Sequence, residues 1–199
     1  MTENQQRGKL IVISGPSGAG KSTVVSRLIN ECPLPLKLSV SATTRPTRGD
    51  DEPGKNYIFL SDEEFQQKVK QGEFLECVEV FGRGHWYGTL REQVSTGLNA
   101  GNWIILEIDV EGAQKAKNAY PEAISIFIHP GSLEELERRL RGRGTEREEA
   151  IARRLEVASH ELEAAVLYDH IVVNGTIEQT VDDVCELLIQ ASDTKIEKS

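Results

Sequence analysis

The stretch that most constrains the fold is GPSGAGKS, residues 15–22, which lies between an apolar run and an amphipathic segment. Residues 9–14 (KLIVIS) are rich in branched apolar side chains, as in a strand that is buried on both faces. Residues 21–31 (KSTVVSRLINE) carry apolar residues at helical spacing. Strand, glycine loop and helix are the context of the phosphate-binding motif GxxxxGK[ST]. We therefore predict a loop that binds nucleotide phosphates.

The residue types in this loop suit that role. Glycines let the backbone curl so that its N–H groups point inward, and the N-terminus of the following helix adds positive potential. Lys21 is predicted to reach the β- and γ-phosphates, and the Ser22 hydroxyl to ligate Mg²⁺, the expected cofactor. The residues predicted to hold the nucleoside triphosphate are Gly15, Pro16, Ser17, Gly18, Ala19, Gly20, Lys21, Ser22 and Thr23.

The rest of the chain alternates between apolar runs and helical patterns. Further buried strands are predicted in residues 103–112 (WIILEIDVEG), 125–130 (SIFIHP) and 169–175 (DHIVVNG). Helical patterns cover residues 112–119, 132–141, 146–167 and 176–191. Alternating β and α units predict a parallel sheet with helices on both faces. Residues 39–91 interrupt the alternation with clustered prolines and glycines, short strands and one helix.

These patterns predict an α/β fold, a P-loop NTPase-type parallel sheet flanked by helices, with an inserted small α+β lobe and a helical lid. The whole chain, residues 1–199, is predicted to form one domain. Its predicted sub-regions are a core at 9–38, 92–132 and 166–191, an acceptor-binding lobe at 39–91, a lid with flanking helices at 133–165, and a frayed tail at 192–199.

Composition argues against several classes of protein. The net charge of −9 disfavours nucleic acid as a partner. The N-terminal residues are polar and no stretch approaches the roughly 20 apolar residues of a membrane span, so we expect neither a signal peptide nor a membrane partner. The three cysteines are far apart and include no CxxC pair, which disfavours a disulfide framework or a zinc site. We expect a cytoplasmic protein, and the sequence leaves homo-oligomerisation open.

Seven of the thirteen arginines lie in residues 138–154, where glutamates interleave with them. On charge alone, this pattern is typical of a solvated helix face. Beside a phosphate loop, the same arginines suit closure over a transferring phosphoryl group. The chain has no NKxD-like motif of a GTPase, and 199 residues leave little room for the partner-binding domains of a mechanical ATPase. We therefore favour a kinase that phosphorylates a small acceptor.

A second anion site is predicted in SVSATTRPTRGD, residues 39–50, where Arg45 and Arg48 can offer two guanidinium groups to one dianion. The phosphate loop, this element and the segments GKNYIFLS, EFLECVEVFG, WYGT, ILEIDVEGAQ, RLRGRGT and IVVNG follow one another in the order of the guanylate kinase family. The sequence resembles that family from about residue 9 to residue 190. The TTRxxRxGE-like and WYGT elements are specific to it among phosphate-loop kinases.

The resemblance implies transfer of the γ-phosphoryl group of ATP to GMP or dGMP, with Mg²⁺, giving ADP and GDP or dGDP. It also implies a division of the acceptor site between two parts of GMP. The guanine is assigned to Ser41 and Glu76, with Asp109 nearby. The GMP phosphate is assigned to Arg45, Arg48, Tyr57 and Tyr87, with Thr89 beside them.

On the ATP side, the resemblance assigns the transferring phosphoryl group to arginines of the lid and its flank. These are Arg139, Arg143 and Arg154. Asn174 resembles the residue near the adenine of ATP. The implied catalytic residues are Lys21, Arg45, Asp109, Arg139, Arg143 and Arg154.

The chemistry of guanine supports a carboxylate in the acceptor site. Guanine offers two adjacent donors, N1–H and N2–H₂, which one carboxylate can accept together, and adenine lacks this pair. Spacing alone leaves Glu73, Glu76 and Glu79 as candidates for that carboxylate. At the end of the strand in residues 103–112, alternation places Glu107 and Asp109 on one face, and we favour Asp109 as the functional acid.

No general base is expected, because the second pKa of a phosphate monoester is about 6 and its oxygen is mostly ionised at neutral pH. Two other functions remain as alternatives. A related kinase of ribose bisphosphates is disfavoured by Glu76 and the pair Arg45 and Arg48. A guanylate-kinase-like module that binds phosphopeptides without catalysis is disfavoured by the intact Lys21 and Ser22.

Overall fold

The structure is a computed structural model that describes residues 7–49, 51–80, 84–142 and 147–193. Its strands are β1 (Leu10–Ser14), β2 (Leu36–Leu38), β3 (Ala42–Thr43), β4 (Ile58–Phe59), β5 (Phe74–Val80), β6 (His85–Leu90), β7 (Trp103–Glu107), β8 (Ile124–His129) and β9 (His170–Val173). Its helices are α1 (Lys21–Glu31), α2 (Asp62–Lys70), α3 (Arg91–Asn99), α4 (Val110–Ala119), α5 (Leu133–Gly142), α6 (Glu148–Glu163) and α7 (Ile177–Asp193). A 3₁₀ turn, Ala164–Leu167, follows α6.

The main sheet consists of parallel strands in the order β2-β7-β1-β8-β9. The central strand β1 is buried along its whole length, which explains its continuous apolar sequence. The predicted parallel sheet flanked by helices is confirmed. Strands that follow β1 in the chain lie on both sides of it, and α/β sheets bind ligands at the carboxyl end of such a strand.

Apolar side chains cover both faces of this sheet. On one face, Ile13, Ile105 and Ile128 are buried in a cluster with residues of α1 and α7. On the other face, Val12 and Leu106 pack with residues of α3 and α4. The alternation of side chains along each strand supplies both clusters from the same short apolar runs. The main sheet is therefore covered by helices on both faces.

The strands β3 to β6 form a second, mixed sheet in the order β4-β3-β6-β5 with its own apolar cluster. The helix α2 covers this sheet through Phe65, which is fully buried and stacks on Phe74 with ring centroids 4.4 Å apart. Trp86 lies 6.0 Å from the same Phe65 ring. The helix begins at a capping box in which Ser61 and Glu64 exchange hydrogen bonds. The second sheet thus has an apolar cluster of its own, and Leu75 of β5 connects it to the main sheet by packing with Val12 and Leu106.

Helices α5 and α6 pack on each other through another small apolar cluster, which includes Leu136, Leu140, Ile151 and Ala158. The boundaries of the core, lobe, lid and tail stay predictions. Arg143, predicted to meet the transferring group, lies outside the described residues, as do positions 194–199 of the predicted tail. Within the described ranges, no helix is long and apolar enough to cross a membrane.

Candidate active site

The loop between β1 and α1 has the backbone conformation that its glycines allow. Gly15, Gly18 and Gly20 have φ angles of 139°, 99° and 95°, in the region that favours glycine. A Cβ atom on Gly15 would lie 2.3 Å from the carbonyl oxygen of Ile128, so a side chain at this position would collide with β8. Helix α1 begins directly after Gly20 and has no acidic residue in its first turn. The loop therefore offers a positive helix N-terminus at the end of the central strand.

The Lys21 side chain folds back over this loop. Its Nζ donates hydrogen bonds to the carbonyl oxygens of Gly15, at 2.6 Å, and Pro16, at 3.1 Å. Burial lowers the pKa of the Lys21 ammonium, and the charge of Glu107 is the largest of those that oppose the shift. The ammonium is thus held, poorly hydrated, where the motif predicts the β- and γ-phosphates.

The serine of the motif contacts an acid at the end of β7. Ser22 Oγ donates a 2.5 Å hydrogen bond to Glu107 Oε1. Hydroxyl and carboxylate oxygens are the hard donors that suit Mg²⁺, which keeps several waters and also takes oxygens from substrate phosphates. The described residues contain no group of three or more His, Cys, Asp or Glu side chains placed to hold a metal. The Ser22 and Glu107 oxygens nevertheless suit a Mg²⁺ ion that is bound at the same time by the phosphates of a nucleoside triphosphate.

Asp109, which we favoured over Glu107, has a different position. It is the N-cap of α4, and its Oδ1 accepts a 2.7 Å hydrogen bond from the N–H of Gly112. Strand β7 ends at Glu107, so the alternation that would place the two acids on one face does not extend to Asp109. Of the two acids, Glu107 is the one that contacts the phosphate-loop serine.

Glu76 is buried on β5, with 5% of its surface exposed. Its Oε1 accepts a 2.6 Å hydrogen bond from Thr89 Oγ1 of the neighbouring strand β6. Burial, together with the charge of Asp109, raises the pKa of the Glu76 carboxyl to about 6. Of the three glutamates that spacing left open, Glu73 pairs with Lys68 at 2.7 Å and Glu79 is exposed. Glu76 alone among them lines the cavity described below.

The predicted phosphate clamp of the acceptor site surrounds Arg45, which is 8% exposed. Asp51 accepts two hydrogen bonds from this guanidinium, at 2.9 and 3.1 Å, and a third from the N–H of Arg48 at 2.6 Å. The Arg45 guanidinium carbon also lies 5.3 Å from the centre of the Tyr57 ring. Tyr57 and Tyr87 meet edge to face at 5.6 Å. Arg45, Tyr57 and Tyr87 are therefore gathered in one place, and Arg48 reaches the group through its main-chain N–H.

One cavity of about 240 Å³ joins the phosphate loop to the second sheet. Its lining includes Ser17, Lys21, Ser41, Tyr57, Glu76, Tyr87, Glu107, Asp109 and Glu161. A larger cavity of about 930 Å³, between β2, α3 and the second sheet, is lined by none of the predicted site residues. The smaller cavity is the candidate active site, because it joins Lys21 of the phosphate loop to Ser41, Tyr57, Glu76 and Tyr87 of the predicted acceptor site. Arg45 and Arg48 are not among its lining residues.

Two of the predicted lid arginines contact the loop or its supports. Arg154 Nη2 donates a 2.6 Å hydrogen bond to Ser17 Oγ. Arg139 Nη2 donates a 2.6 Å hydrogen bond to the carbonyl oxygen of Asn174. The Asn174 side chain, predicted to lie near adenine, is buried behind the loop and donates to the carbonyl oxygen of Ala19.

Glu161 is a cavity residue that sequence reasoning missed. It lies near the end of α6, and burial raises the pKa of its carboxyl, an effect that the charge of Lys21 opposes. The available signal was its spacing: Glu161 follows Arg154 by seven residues, and residues two helical turns apart share a face. Asp51 was also missed, although it lies close to the two arginines of the predicted clamp.

Comparison with known proteins agrees with this geometry. The family model "Guanylate kinase" matches residues 7–191. A guanylate kinase of Rhodopirellula baltica is 50% identical over 193 residues, which cover 96% of this chain and 92% of that protein. A guanylate kinase of Caldanaerobacter subterraneus subsp. tengcongensis is 45% identical, over 93% of this chain and 88% of that protein.

A solved structure is similar as well. The crystal structure of guanylate kinase from Anaplasma phagocytophilum superposes with a TM-score of 0.75 at 34% identity, covering 94% of this chain and 87% of that one. The parallel sheet, the phosphate loop and the buried carboxylate across the cavity define a phosphate-loop kinase. The sequence matches cover most of the chain at high identity, so they narrow the class of protein from phosphate-loop kinases in general to a single family. The chain belongs to the guanylate kinase family.

Proposed function

We propose that the chain transfers the γ-phosphoryl group of ATP to GMP or dGMP, giving ADP and GDP or dGDP. The observation that carries the proposal is the shared cavity that both Lys21 and Glu76 line. A phosphate loop alone fits many enzymes, and a buried carboxylate alone fits many sites. Their presence in one cavity fits a triphosphate donor and a guanine-bearing acceptor, in a chain of the guanylate kinase family.

On the donor side, the N–H groups of residues 15–23 and the Lys21 ammonium would hold the triphosphate. The low hydration of this ammonium strengthens its attraction to phosphate, because fewer water contacts compete. Ser22 and Glu107 would hold Mg²⁺, which supplies neutralisation of the phosphate charges when bound with ATP. Arg154 already reaches Ser17 and would approach the transferring group from α6.

On the acceptor side, Glu76 would accept hydrogen bonds from N1–H and N2–H₂ of guanine. Thr89 occupies its Oε1, which fixes the orientation of the carboxylate in the cavity wall. AMP has an acceptor at the ring nitrogen where GMP has a donor, so AMP would leave Glu76 Oε2, the oxygen that the Thr89 hydroxyl does not bond, without a donor. Selectivity for guanine thus follows from the cost of leaving this buried oxygen unpaired.

The acceptor phosphate would bind at Arg45, Arg48, Tyr57 and Tyr87. Planar guanidinium groups recognise a phosphate through paired hydrogen bonds, and phenol groups can each donate one more. The acceptor oxygen is mostly ionised at neutral pH, so these residues position it and offset repulsion between two anions rather than remove a proton. Substrates that are free nucleotides, and a net charge of −9, favour a cytoplasmic enzyme without a nucleic-acid partner.

The direct test is the rate of ADP formation from ATP and Mg²⁺ with GMP, dGMP, AMP, UMP, TMP or ribose 1,5-bisphosphate as acceptor. We expect rapid turnover with GMP and dGMP only. Activity with the bisphosphate and none with GMP would replace the proposal with a sugar-phosphate kinase. Absence of turnover with every acceptor would indicate that the protein is a binding module without catalytic activity.

The variant Glu76→Gln tests the guanine assignment. It should lower kcat/KM for GMP by about 10- to 100-fold, the loss expected for a hydrogen bond to a charged group. The exposed Glu79→Gln on the same strand is the matched control and should behave as the unaltered protein. Equal kcat/KM for GMP in both variants would reject the role of Glu76.

A further inference from the structure

The Asn174 side chain has partners at both of its polar ends inside the protein. Asn174 is 6% exposed. Its Nδ2 donates a 2.7 Å hydrogen bond to the carbonyl oxygen of Ala19, and its Oδ1 lies 3.0 Å from the hydroxyl of Thr180. That hydroxyl also lies 2.7 Å from the carbonyl oxygen of Thr176, so its one proton is shared between the two acceptors. The Ala19 carbonyl can only accept, so the amide nitrogen must face it. The amide is thus fixed in one orientation between the phosphate loop and α7.

The main chain of Asn174 is anchored as firmly as its side chain. Its N–H donates a 2.8 Å hydrogen bond to the carbonyl oxygen of His129 at the end of β8. Its carbonyl oxygen accepts a 2.6 Å hydrogen bond from Arg139, and Arg139 Nε is itself held by Glu135 at 2.8 Å. Asn174 therefore joins the sheet and α5 to the back of the phosphate loop.

The bond to Ala19 orients the peptide that precedes α1. A trans peptide is planar, with its C=O and N–H pointing in opposite directions. Because Asn174 holds the Ala19 carbonyl, the N–H of Gly20 points away from Asn174. A Cβ atom on Gly20 would lie 2.5 Å from Asn174 Nδ2, so the glycine, at φ 95°, is what permits this close approach. The Gly20 N–H is one of those that the proposed function assigns to the triphosphate.

We infer that Asn174 is a positioning residue of the phosphate loop: its amide holds the Ala19–Gly20 peptide so that the Gly20 N–H is presented to the triphosphate, and it does not contact the adenine. This inference rests on the proposed function in so far as a triphosphate binds the loop. Asn174 acts on the part of the ligand that every nucleoside triphosphate shares. Its contribution is therefore independent of the base.

Because the expected effect of Asn174 does not depend on the base, it can be tested by comparing ligands with and without a base. The variant Asn174→Leu keeps the side-chain size and removes both hydrogen bonds. Dissociation constants are measured by calorimetry in Mg²⁺ for ATP, for inorganic tripolyphosphate and for GMP. We expect ATP and tripolyphosphate to weaken by the same factor, about tenfold for a lost hydrogen bond, with GMP unchanged. Weakening of ATP alone would indicate an adenine contact and overturn the inference.

A purely structural role has a different signature. It would lower the melting temperature and leave all three dissociation constants of the folded protein unchanged, which would also overturn the inference. Thr180→Val, which removes the hydroxyl at Asn174 Oδ1, is a milder second variant. It should weaken ATP and tripolyphosphate equally, by about two- to threefold for a partly lost orientation. It keeps the test available if Asn174→Leu does not fold.

Asn30→Leu is the matched control. Asn30 lies exposed on α1, where its Nδ2 donates to the carbonyl oxygen of Ser26, and this variant should leave all three constants unchanged. Failure of the proposed function would be seen separately, as a lack of GMP-dependent ADP formation by the unaltered protein. Equal weakening of ATP and tripolyphosphate would support the role of Asn174 even then.

Discussion

Ser22 Oγ lies 2.5 Å from Glu107 Oε1, so the first turn of α1 is tied to the carboxyl end of β7 by one hydrogen bond. The strands β1 and β7 are direct neighbours, with Ile13 opposite Glu107 in the register. The motif serine and the acid therefore meet because adjacent parallel strands end at the same edge of the sheet. This pair is where the proposed function puts Mg²⁺.

Glu107→Gln should raise the Mg²⁺ concentration needed for half-maximal turnover by about tenfold, because the amide keeps the hydrogen bond from Ser22 and removes the charge. Turnover measured against Mg²⁺ at fixed ATP and GMP checks this. Glu111→Gln, an exposed residue of α4 paired with Lys115, is the control and should leave the Mg²⁺ dependence unchanged. Identical curves for both variants would contradict the assignment.

Lys21→Met should lower kcat by about 10²- to 10³-fold, the loss typical when a group that stabilises developing charge is removed. The melting temperature should shift by no more than about a few degrees, because two effects of the substitution on stability oppose each other. The variant loses two hydrogen bonds to carbonyl oxygens, which destabilises it, and it no longer buries a charged ammonium, which stabilises it. Steady-state kinetics and calorimetry measure both. Lys37→Met, an exposed substitution on β2, serves as the control and should behave as the unaltered protein. Full activity of Lys21→Met would refute the phosphate-loop assignment.

Glu76→Gln should change how stability depends on pH. Burial raises the pKa of Glu76 to about 6 in the folded protein, so the folded state keeps the proton at pH values where the unfolded chain has lost it. This contribution to stability is present below the unfolded pKa and is lost as pH rises through about 6. The variant, which never ionises, should therefore gain about 2 kcal/mol in unfolding free energy relative to the unaltered protein between pH 4 and pH 8.

Urea unfolding at the two pH values measures this difference, with Glu79→Gln as the exposed control. Acids that do not interact with Glu76 cancel in the comparison. A difference between Glu76→Gln and the unaltered protein that stays constant with pH would show that the buried carboxyl does not titrate in this range.

Arg45→Lys should raise KM for GMP by about 10- to 100-fold and leave KM for ATP unchanged. An ammonium cannot reproduce the forked pair of bonds that Arg45 makes with Asp51, nor the planar contact with the Tyr57 ring. Kinetics with each substrate varied in turn make the measurement. Arg27→Lys, on α1 and paired with Glu31, is the control. Equal effects on both Michaelis constants would place Arg45 outside the acceptor site.

The phosphate loop and the parallel sheet could be predicted because local chemistry dictates them. Gly15, Gly18 and Gly20 adopt backbone angles that other residues rarely do, so their spacing in the sequence is itself a structural signature. The strand order could not be predicted, because each buried strand is apolar on both faces. The sequence of such a strand does not specify which other strand pairs with it.

The choice among acids in the candidate site depended on where strands end and how they pair. Alternation would place Glu107 and Asp109 on one face only if β7 continued, and it stops at Glu107. Glu76 enters the cavity because β5 pairs with β6 in a register that sets it opposite Thr89. One partner of Asn174, Ala19, lies in a loop more than 150 residues earlier in the chain, and sequence spacing does not show that the two residues are in contact.

The presence of a distinct apolar cluster in each sheet has an optical consequence. The chain has two tryptophans, and each sheet contains one: Trp86 lies beside Phe65 in the second sheet, and Trp103 is buried in the main sheet. Replacing either by phenylalanine leaves one tryptophan, whose emission, excited selectively over that of the four tyrosines, reports on one sheet. The protein therefore carries its own pair of probes for asking whether the sheets melt together or one after the other.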